Sequence, residues 1–415
     1  MAERYVNVDR ETPMLLPPDL RDWVAENDLA RLILEAVELC ETGGARVNVR
    51  GTGSAQYPPS MMLALLIYCY ASGVFSSRRI ERASYESVAV RYLCANHHPD
   101  HDTIAKFRRE NEALFRSCFS QVLMLAREAG VLRVGTVSLD GTRLAGAGSG
   151  RAVRTLEQLE RELESLGGEL LGKAEAADGE DLDGGGMQLP EELSDGAKRK
   201  AKLRAAKAAL EARRGAAAAA GVRDRPGSAR RSASASVSEP ESRRLRGGSG
   251  PPVQGYNAQA AVDAGQSGLI VGAHLSDAPN DLNQLAAGLE AVPAPLAREL
   301  FAVVVDKGYD HTAQIARVER ERGLLVLCPP QRRPTGRENN PRRRGLPQWK
   351  WEQRRQMEQR LACPLLRALH RRRAPSVEGA FARIKTHLGF RRFQVWGKKA
   401  ATAENAPRVT PGLAS

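Results

Sequence analysis

Leu300–Tyr309, reading LFAVVVDKGY, is the stretch from which the fold can be worked out. Leu300–Val305 is short and wholly apolar, which predicts a strand buried at the centre of a sheet, and it ends at Asp306-Lys307-Gly308-Tyr309. Upstream, Thr136–Asp140 (TVSLD) alternates as a strand does and closes in Asp-Gly-Thr. Tyr256–Asp263 (YNAQAAVD) and Gly268–Leu275 (GLIVGAHL) read as two strands joined by the turn Ala264–Ser267. Asn280-Asp281 reads as the cap of a helix running to Leu289. Thr312–Arg322 is the next helix and Leu324–Cys328 the next strand. From Val134 the order is therefore strand, insertion, two strands, helix, strand, helix, strand and a basic loop, which predicts a mixed-sheet α/β domain.

The element after that loop is Val377–Phe393, VEGAFARIKTHLGFRRF. Val377, Phe381, Ile384 and Leu388 recur at helical spacing and form one apolar stripe. Glu378 lies about 100° round from Val377, and Lys385 returns to nearly the same angle. A carboxylate and an amine one above the other suit a metal-and-phosphate site; a solvated Glu on an amphipathic helix explains the same spacing. Asp140, Asp306 and Glu378 thus stand out by position: one closes a strand, one closes the most buried strand, and one sits on the following helix. For Asp140 alone, a turn-forming Asp-Gly is the competing reading. If the first and fourth strands are neighbours, the two Asp side chains approach within a few ångström. Three carboxylates so close repel unless a cation lies between them. Oxygen ligands suit Mg²⁺ or Mn²⁺, and two such ions can activate a water or 3′-hydroxyl and stabilise the leaving oxygen in phosphodiester transfer.

The charge supports a polyanionic partner. Across residues 331–400 there are 20 Lys+Arg against 4 Asp+Glu, a net of +16 in a chain whose total is +13, so the remaining residues sum to −3. A basic excess confined to the Glu378 region points to nucleic acid.

Residues 1–130 read as helical: Leu20–Leu39 with Asn27-Asp28 as an internal cap, Met61–Ser72 opened by Pro58-Pro59-Ser60, Arg78–Leu93, and a helix from the cap His101-Asp102-Thr103 to Ala129. Arg78, Arg79, Arg82, Lys106, Arg108 and Arg109 take exposed positions in this reading, which fits a DNA-contacting bundle or a plain structural one. His97, His98, Asp100, His101 and Asp102 crowd one loop, as metal ligands or as a polar cap. Residues 151–250 read as an insertion, with helices at Leu156–Leu170 and Ala197–Ala220 around a Gly/Asp-rich turn and then a disordered basic linker, Val222–Gly250. The six cysteines form no C-x-x-C pair and read as buried thiols of a reducing compartment. MAERYVNVDRETP has no apolar signal-peptide core, and Met61–Phe75 is too short to span a bilayer. A soluble, cytoplasmic protein without a membrane partner is the expectation.

With these motifs in order, the chain resembles a DDE-type insertion-sequence transposase. The resemblance rests on YPPSMMLALLIYCYASGVFSSRRIERA (57–83), HPDHDTIAKFR (98–108), Asp140-Gly141-Thr142, YNAQAAVD (256–263), APND (278–281), DKGY (306–309) and VEGAFARIKTHLGFRRF (377–393). It implies an RNase H-like catalytic domain over 131–396, interrupted by the 151–250 insertion and preceded by an all-α domain over 1–130. It also implies Asp140, Asp306 and Glu378 as a triad holding Mg²⁺ or Mn²⁺, two ions in all, and acting on double-stranded DNA at transposon ends and target. Arg373 and Lys385 would contact DNA phosphates or terminal bases, with His370, Arg372, Arg391 and Arg392 in the same DNA-binding surface. A homo-oligomer assembled on DNA is implied as well. Two departures stand out. His370 replaces the family's tyrosine, and residues 397–415 read as an irregular tail where the family continues into an apolar helix, as in a truncated or frame-shifted copy.

Overall fold

The computed structural model describes residues 19–47, 56–148, 152–166, 191–219, 234–245, 252–265, 267–331, 347–393, 395 and 397–402. Its strands are β1 (Thr136–Ala145), β2 (Val153–Thr155), β3 (Ser234–Ser236), β4 (Arg243–Leu245), β5 (Val253–Asp263), β6 (Ile270–Ser276), β7 (Ala302–Val305) and β8 (Leu325–Leu327). The main sheet runs β4-β5-β1-β7-β8, with β6 also paired to β5. β5 lies antiparallel to β1, whereas β7 and β8 run parallel to it. The protein is therefore mixed α/β, with a helical region ahead of the sheet.

β7 is buried at every residue because both faces are covered. Val303 and Val305 join Val137 and Leu139 of β1 against the helices Leu285–Glu290 and Thr312–Arg322. On the opposite face, Leu144, Tyr256, Val377, Phe390 and Phe393 share one apolar cluster with Leu65, Tyr70 and Phe75 of the N-terminal helices. Phe75 packs on Phe390 with ring centroids 5.5 Å apart, and Phe390 on Phe393 at 5.2 Å. The segment after the Glu378 helix is tied to the end of β1: Ala145 N donates to Arg391 O (3.0 Å) and Phe393 N donates to Ala145 O (2.9 Å). Its aromatics thus turn inward while Arg391 and Arg392 stay exposed.

Several expected boundaries differ for local reasons. The expected Leu20–Leu39 helix divides into a 3-10 turn at Leu20–Trp23 and an α-helix at Leu29–Glu38, the latter started by Asp28, whose carboxylate accepts from Ala30 N (2.7 Å). Arg78–Leu93 divides into Ser77–Glu86 and Val88–Leu93, because Ser87 leaves helical backbone and caps the second piece through Val90 N. His101–Glu110 and Glu112–Glu128 are likewise separate, broken at Asn111. In the His97–Asp102 loop, Asp100 accepts from Thr103 N (2.8 Å) and caps the helix, while His101 pairs with Glu81. Arg108 is not on the surface. It shares a helix face with buried Ile104, and its guanidinium donates to Tyr70 OH (3.1 Å) and Phe75 O (3.3 Å). Arg78, Arg79, Arg82, Lys106 and Arg109 are exposed as expected.

The reading of Val222–Gly250 as disordered linker is corrected over 234–245. β3 pairs with β2, and β4 joins the main sheet beside β5. Between them the buried Glu239 carboxylate accepts from Tyr256 OH (2.9 Å), Gly148 N (3.1 Å) and Gly397 N (3.2 Å). These bonds come from distant parts of the chain, so no local period announces them. The Gly/Asp-rich turn at 178–186 and the remainder of the linker lie outside the described residues. Residues 398–402 form a helical turn in which Ala401 is buried and Lys398 pairs with Asp277 (2.7 Å). Among the described residues every cysteine is a free thiol, and no helix is long and apolar enough to cross a membrane.

Phe390→Ala removes a ring that bridges the N-terminal helices and the sheet. We expect a loss of about 3–5 kcal/mol in urea unfolding, with fluorescence and circular dichroism falling in one transition. Two separated transitions would show that the two regions do not share a core.

Candidate active site

β1 and β7 are paired in parallel with Leu139 opposite Val305, so the next residues, Asp140 and Asp306, leave the two strands side by side. Adjacent strands lie about 4.8 Å apart, which sets the scale of the approach. After Asp306 the chain turns at once, because its carboxylate accepts from Gly308 N (2.7 Å). Asp140 Oδ1 accepts from Gly141 N (2.8 Å), and its Oδ2 is held by Arg373 Nη1 at 2.7 Å.

A third carboxylate, Asp281, which the sequence reading had placed elsewhere, lies near enough to act on Asp140 through its charge. The helix after β6 starts at Leu285 and has no side-chain cap, so Asp281 does not cap it. Asp281 Oδ1 instead accepts from Asn257 Nδ2 (2.8 Å) and Gln259 Nε2 (2.5 Å), two buried amides on one face of β5. Tyr309 OH donates to Gln259 Oε1, which turns the amide so that its NH₂ faces Asp281. Gly141 lies against this group, and a β-carbon there would collide with Asp281 Oδ1 and Gln259 Nε2. The signal for Asp281 was available: two polar residues at alternate positions of an otherwise apolar strand need a partner.

Electrostatics tie these groups together. Burial pushes the Asp140 carboxyl up to about 6 from its ordinary 3.8; Arg373 and the Gly141 N–H oppose the rise, and Asp306 and Asp281 add to it. Burial, followed by the charges of Asp281, Asp140 and Asp306, holds the Tyr309 phenol well above its ordinary range, so it remains a donor.

The helix Arg373–Ala382 approaches the sheet through Arg373, Ser376 and Val377: Ser376 Oγ donates to Ser138 Oγ (2.8 Å), and Val377 is fully buried. Glu378 is exposed on the same helix. Helical steps put it about 140° round from Arg373, away from the two aspartates. The chain then widens into a π-turn over Arg383–His387, which breaks the seven-residue repeat between Glu378 and Lys385. Lys385 is half-buried, and burial, then Arg391 and Arg143, lower its pKa. His370 donates from Nε2 to Val305 O (3.0 Å), so it braces the strand end just before Asp306. Arg372, Arg391 and Arg392 are exposed. The structure thus brings Asp140, Asp306 and Arg373 together and leaves Glu378 outside that group.

Carboxylate oxygens are hard donors of the kind a divalent cation takes, and Asp140 and Asp306 supply them at neighbouring strand ends. The count is short: among the described residues no three His, Cys, Asp or Glu side chains are grouped closely enough to clamp an ion. Asp140 and Asp306 are the two expected ligands that meet.

The Asp140–Arg373 pair has a definite pH signature. Because folding raises the Asp140 pKa, its contribution to stability is full below about 3.8 and is lost as pH rises through about 6. Arg373 offsets part of that loss. In metal-free buffer, Arg373→Met is expected to cost about 1–3 kcal/mol near pH 8 and distinctly less near pH 5, where a proton replaces the guanidinium. Urea unfolding at both pH values checks it; an equal loss at both would remove Asp140 as the partner.

Family models match the chain in two places. Residues 18–110 match a transposase domain (DUF772), and residues 305–406 match a transposase DDE domain. The second match starts at the last residue of β7 and runs through Asp306, Glu378 and the described part of the tail. No curated protein and no solved structure matches the chain. A transposase domain among the N-terminal helices and a DDE domain following the central strand together support a DDE-type insertion-sequence transposase.

Proposed function

We propose that this chain cleaves DNA and transfers the cut strand at the ends of its insertion element, in a reaction that depends on Mg²⁺ or Mn²⁺. The observation that carries the reading is the pair of aspartates leaving β1 and β7 side by side, the second of them inside the stretch that matches a transposase DDE domain. In this reading Asp140 and Asp306 hold the cation, two ions in the complete assembly, and Glu378 joins them when DNA is bound. A bound cation lowers the pKa of the attacking water or 3′-hydroxyl and stabilises the leaving oxygen.

The chain's own cations do the rest. Arg391 and Arg392 extend from a segment clamped to β1, so they offer fixed positive charge to phosphates. Lys385, with Arg391 and Arg143 nearby, gains from an arriving phosphate because burial disfavours its unpaired charge. Arg373 bonds Asp140 without DNA; a substrate phosphate or a bound cation competes for one member of that pair. Arg372 adds to the same exposed surface, and His370 acts on the protein side by bracing Val305. DNA of the element's ends and of the target is the partner, with the chain assembling as a homo-oligomer upon it in the cytoplasm.

A second reading is a DNA-binding remnant without catalysis. It is favoured by the exposure of Glu378 away from the two aspartates.

Nicking of a supercoiled plasmid carrying the element's ends tests both. With Mg²⁺ or Mn²⁺ we expect nicking by the native chain and at least about a hundredfold loss in Asp306→Ala, with DNA binding retained. Binding without nicking in the native chain would establish the remnant. Affinity should also fall steeply on a plot of log K against log salt, because several phosphates are neutralised at once. A flat response would remove the basic surface as the DNA contact.

A further inference from the structure

Two thiols far from the aspartates touch each other. Cys118 Sγ donates to Cys40 Sγ at 3.4 Å, between residues 78 positions apart in sequence. Both side chains are buried, Cys40 at 7 % exposure and Cys118 at 1 %. The contact is held by the bonds around it. Cys40 follows the helix Leu29–Glu38, where its N–H donates to Val37 O (3.0 Å) and its thiol to Ala36 O (3.2 Å). On the helix Glu112–Glu128, Gln121 stands about one turn beyond Cys118. Its amide nitrogen donates to Ser117 Oγ (3.0 Å), and its amide oxygen accepts from Glu41 N (2.9 Å). Asn111, just before that helix, accepts from Arg46 N (2.7 Å). The chain leaving Cys40 is therefore laid along the helix that carries Cys118, and the two sulfurs face each other. Closing to the about 2.05 Å of a disulfide needs about 1.4 Å of approach, which small rotations of two side chains can supply. Leu39 and Glu41 on either side of Cys40 are exposed, so a small oxidant has a short way in.

We propose that Cys40 and Cys118 are an oxidisable dithiol, which hydrogen peroxide converts to a disulfide tying the end of the helix Leu29–Glu38 to the helix Glu112–Glu128. The two thiols differ in the way such a step needs, one to attack and one to follow. The hydrogen bond from Cys118 holds Cys40 below the ordinary thiol range against the effect of burial, whereas that bond and burial push Cys118 up. Cys40 is thus the attacking thiol. Its sulfur takes one oxygen of the peroxide, the O–O bond breaks, and the other oxygen leaves as water with the thiol proton. Cys118 then attacks the sulfenic sulfur of Cys40; the S–O bond breaks, and its oxygen leaves with the Cys118 proton as a second water. Two sulfurs are oxidised and one peroxide is reduced. The other buried thiols lack this arrangement. Burial pushes Cys69 and Cys328 well up and Cys94 to about 12, which leaves them poor nucleophiles.

The test is titration of the full, folded chain with hydrogen peroxide, then alkylation of the remaining thiols, digestion without reductant and mass spectrometry. A linked peptide joining Cys40 to Cys118 should appear before any change at Cys69, Cys94 or Cys328, and a thiol reductant should remove it. In Cys118→Ala, which has no thiol for the second step, dimedone should trap a sulfenic acid on Cys40. In Cys40→Ala, Cys118 should stay reduced at the same peroxide concentration. Oxidation of the native chain without the linked peptide would overturn the proposal, whether it stops at Cys40 or falls first on the other buried thiols. A link formed only between separate chains would overturn it as well. Dimedone labelling of Cys118 in Cys40→Ala, with Cys40 unlabelled in Cys118→Ala, would overturn Cys40 as the attacking thiol. The link itself is read in the native chain, so the folding of either variant does not bear on it.

Discussion

The parallel register of β1 and β7 is the constraint on which the rest of this structure depends. Leu139 opposite Val305 is what sets Asp140 and Asp306 level. Side chains on a strand alternate, so a slip of one residue would send one carboxylate to the opposite face. β7 has only four residues, and nothing within it can hold the register. The register is held from outside by two apolar clusters that meet its faces and by β8 along its far edge. His370 adds a bond to the carbonyl of Val305, one residue before the site. Ser376 and Arg373 reach β1 at Ser138 and Asp140, so a helix more than two hundred residues away is keyed to the same strand.

How much could be read from the sequence depended on where each element found its partner. β7 was legible because a continuous apolar run has few other uses in a soluble domain. β1 was legible only as far as Asp140. The Asp-Gly that follows reads as a turn, yet here the strand continues to Ala145 because β5 pairs with it along its length, and Gly141 is needed for the close approach of Asp281. The helix breaks at Ser87 and Asn111 fall at capping residues that a longer apolar period had masked. β3 and β4 were invisible because a buried glutamate and distant backbone groups organise them.

The same division holds at the site. Strand ends carry directional information, so Asp140 and Asp306 could be set level once the first and fourth strands were taken as neighbours, a condition that sequence order left open and the β1–β7 pairing meets. The Glu378 helix carried less. Its apolar spacing identified the buried face, with Val377 and Ile384 inside, but Arg373 rather than Glu378 occupies the side facing Asp140. Asp281 was misread because Asn-Asp before a helix has a cheap local explanation. Its partners lie on β5, over twenty residues earlier.

The contact of Phe75 with Phe390 has a consequence during synthesis. The N-terminal helices leave the ribosome with an apolar face whose covering residues are made roughly three hundred positions later, a wait of about 15–60 seconds at ordinary elongation rates. Through that interval the nascent helices must fold incompletely or be shielded by a chaperone. A chain interrupted before Phe390 would leave that surface bare and prone to aggregate, so release of the segment around Phe390 is the event that covers the apolar face of the N-terminal helices.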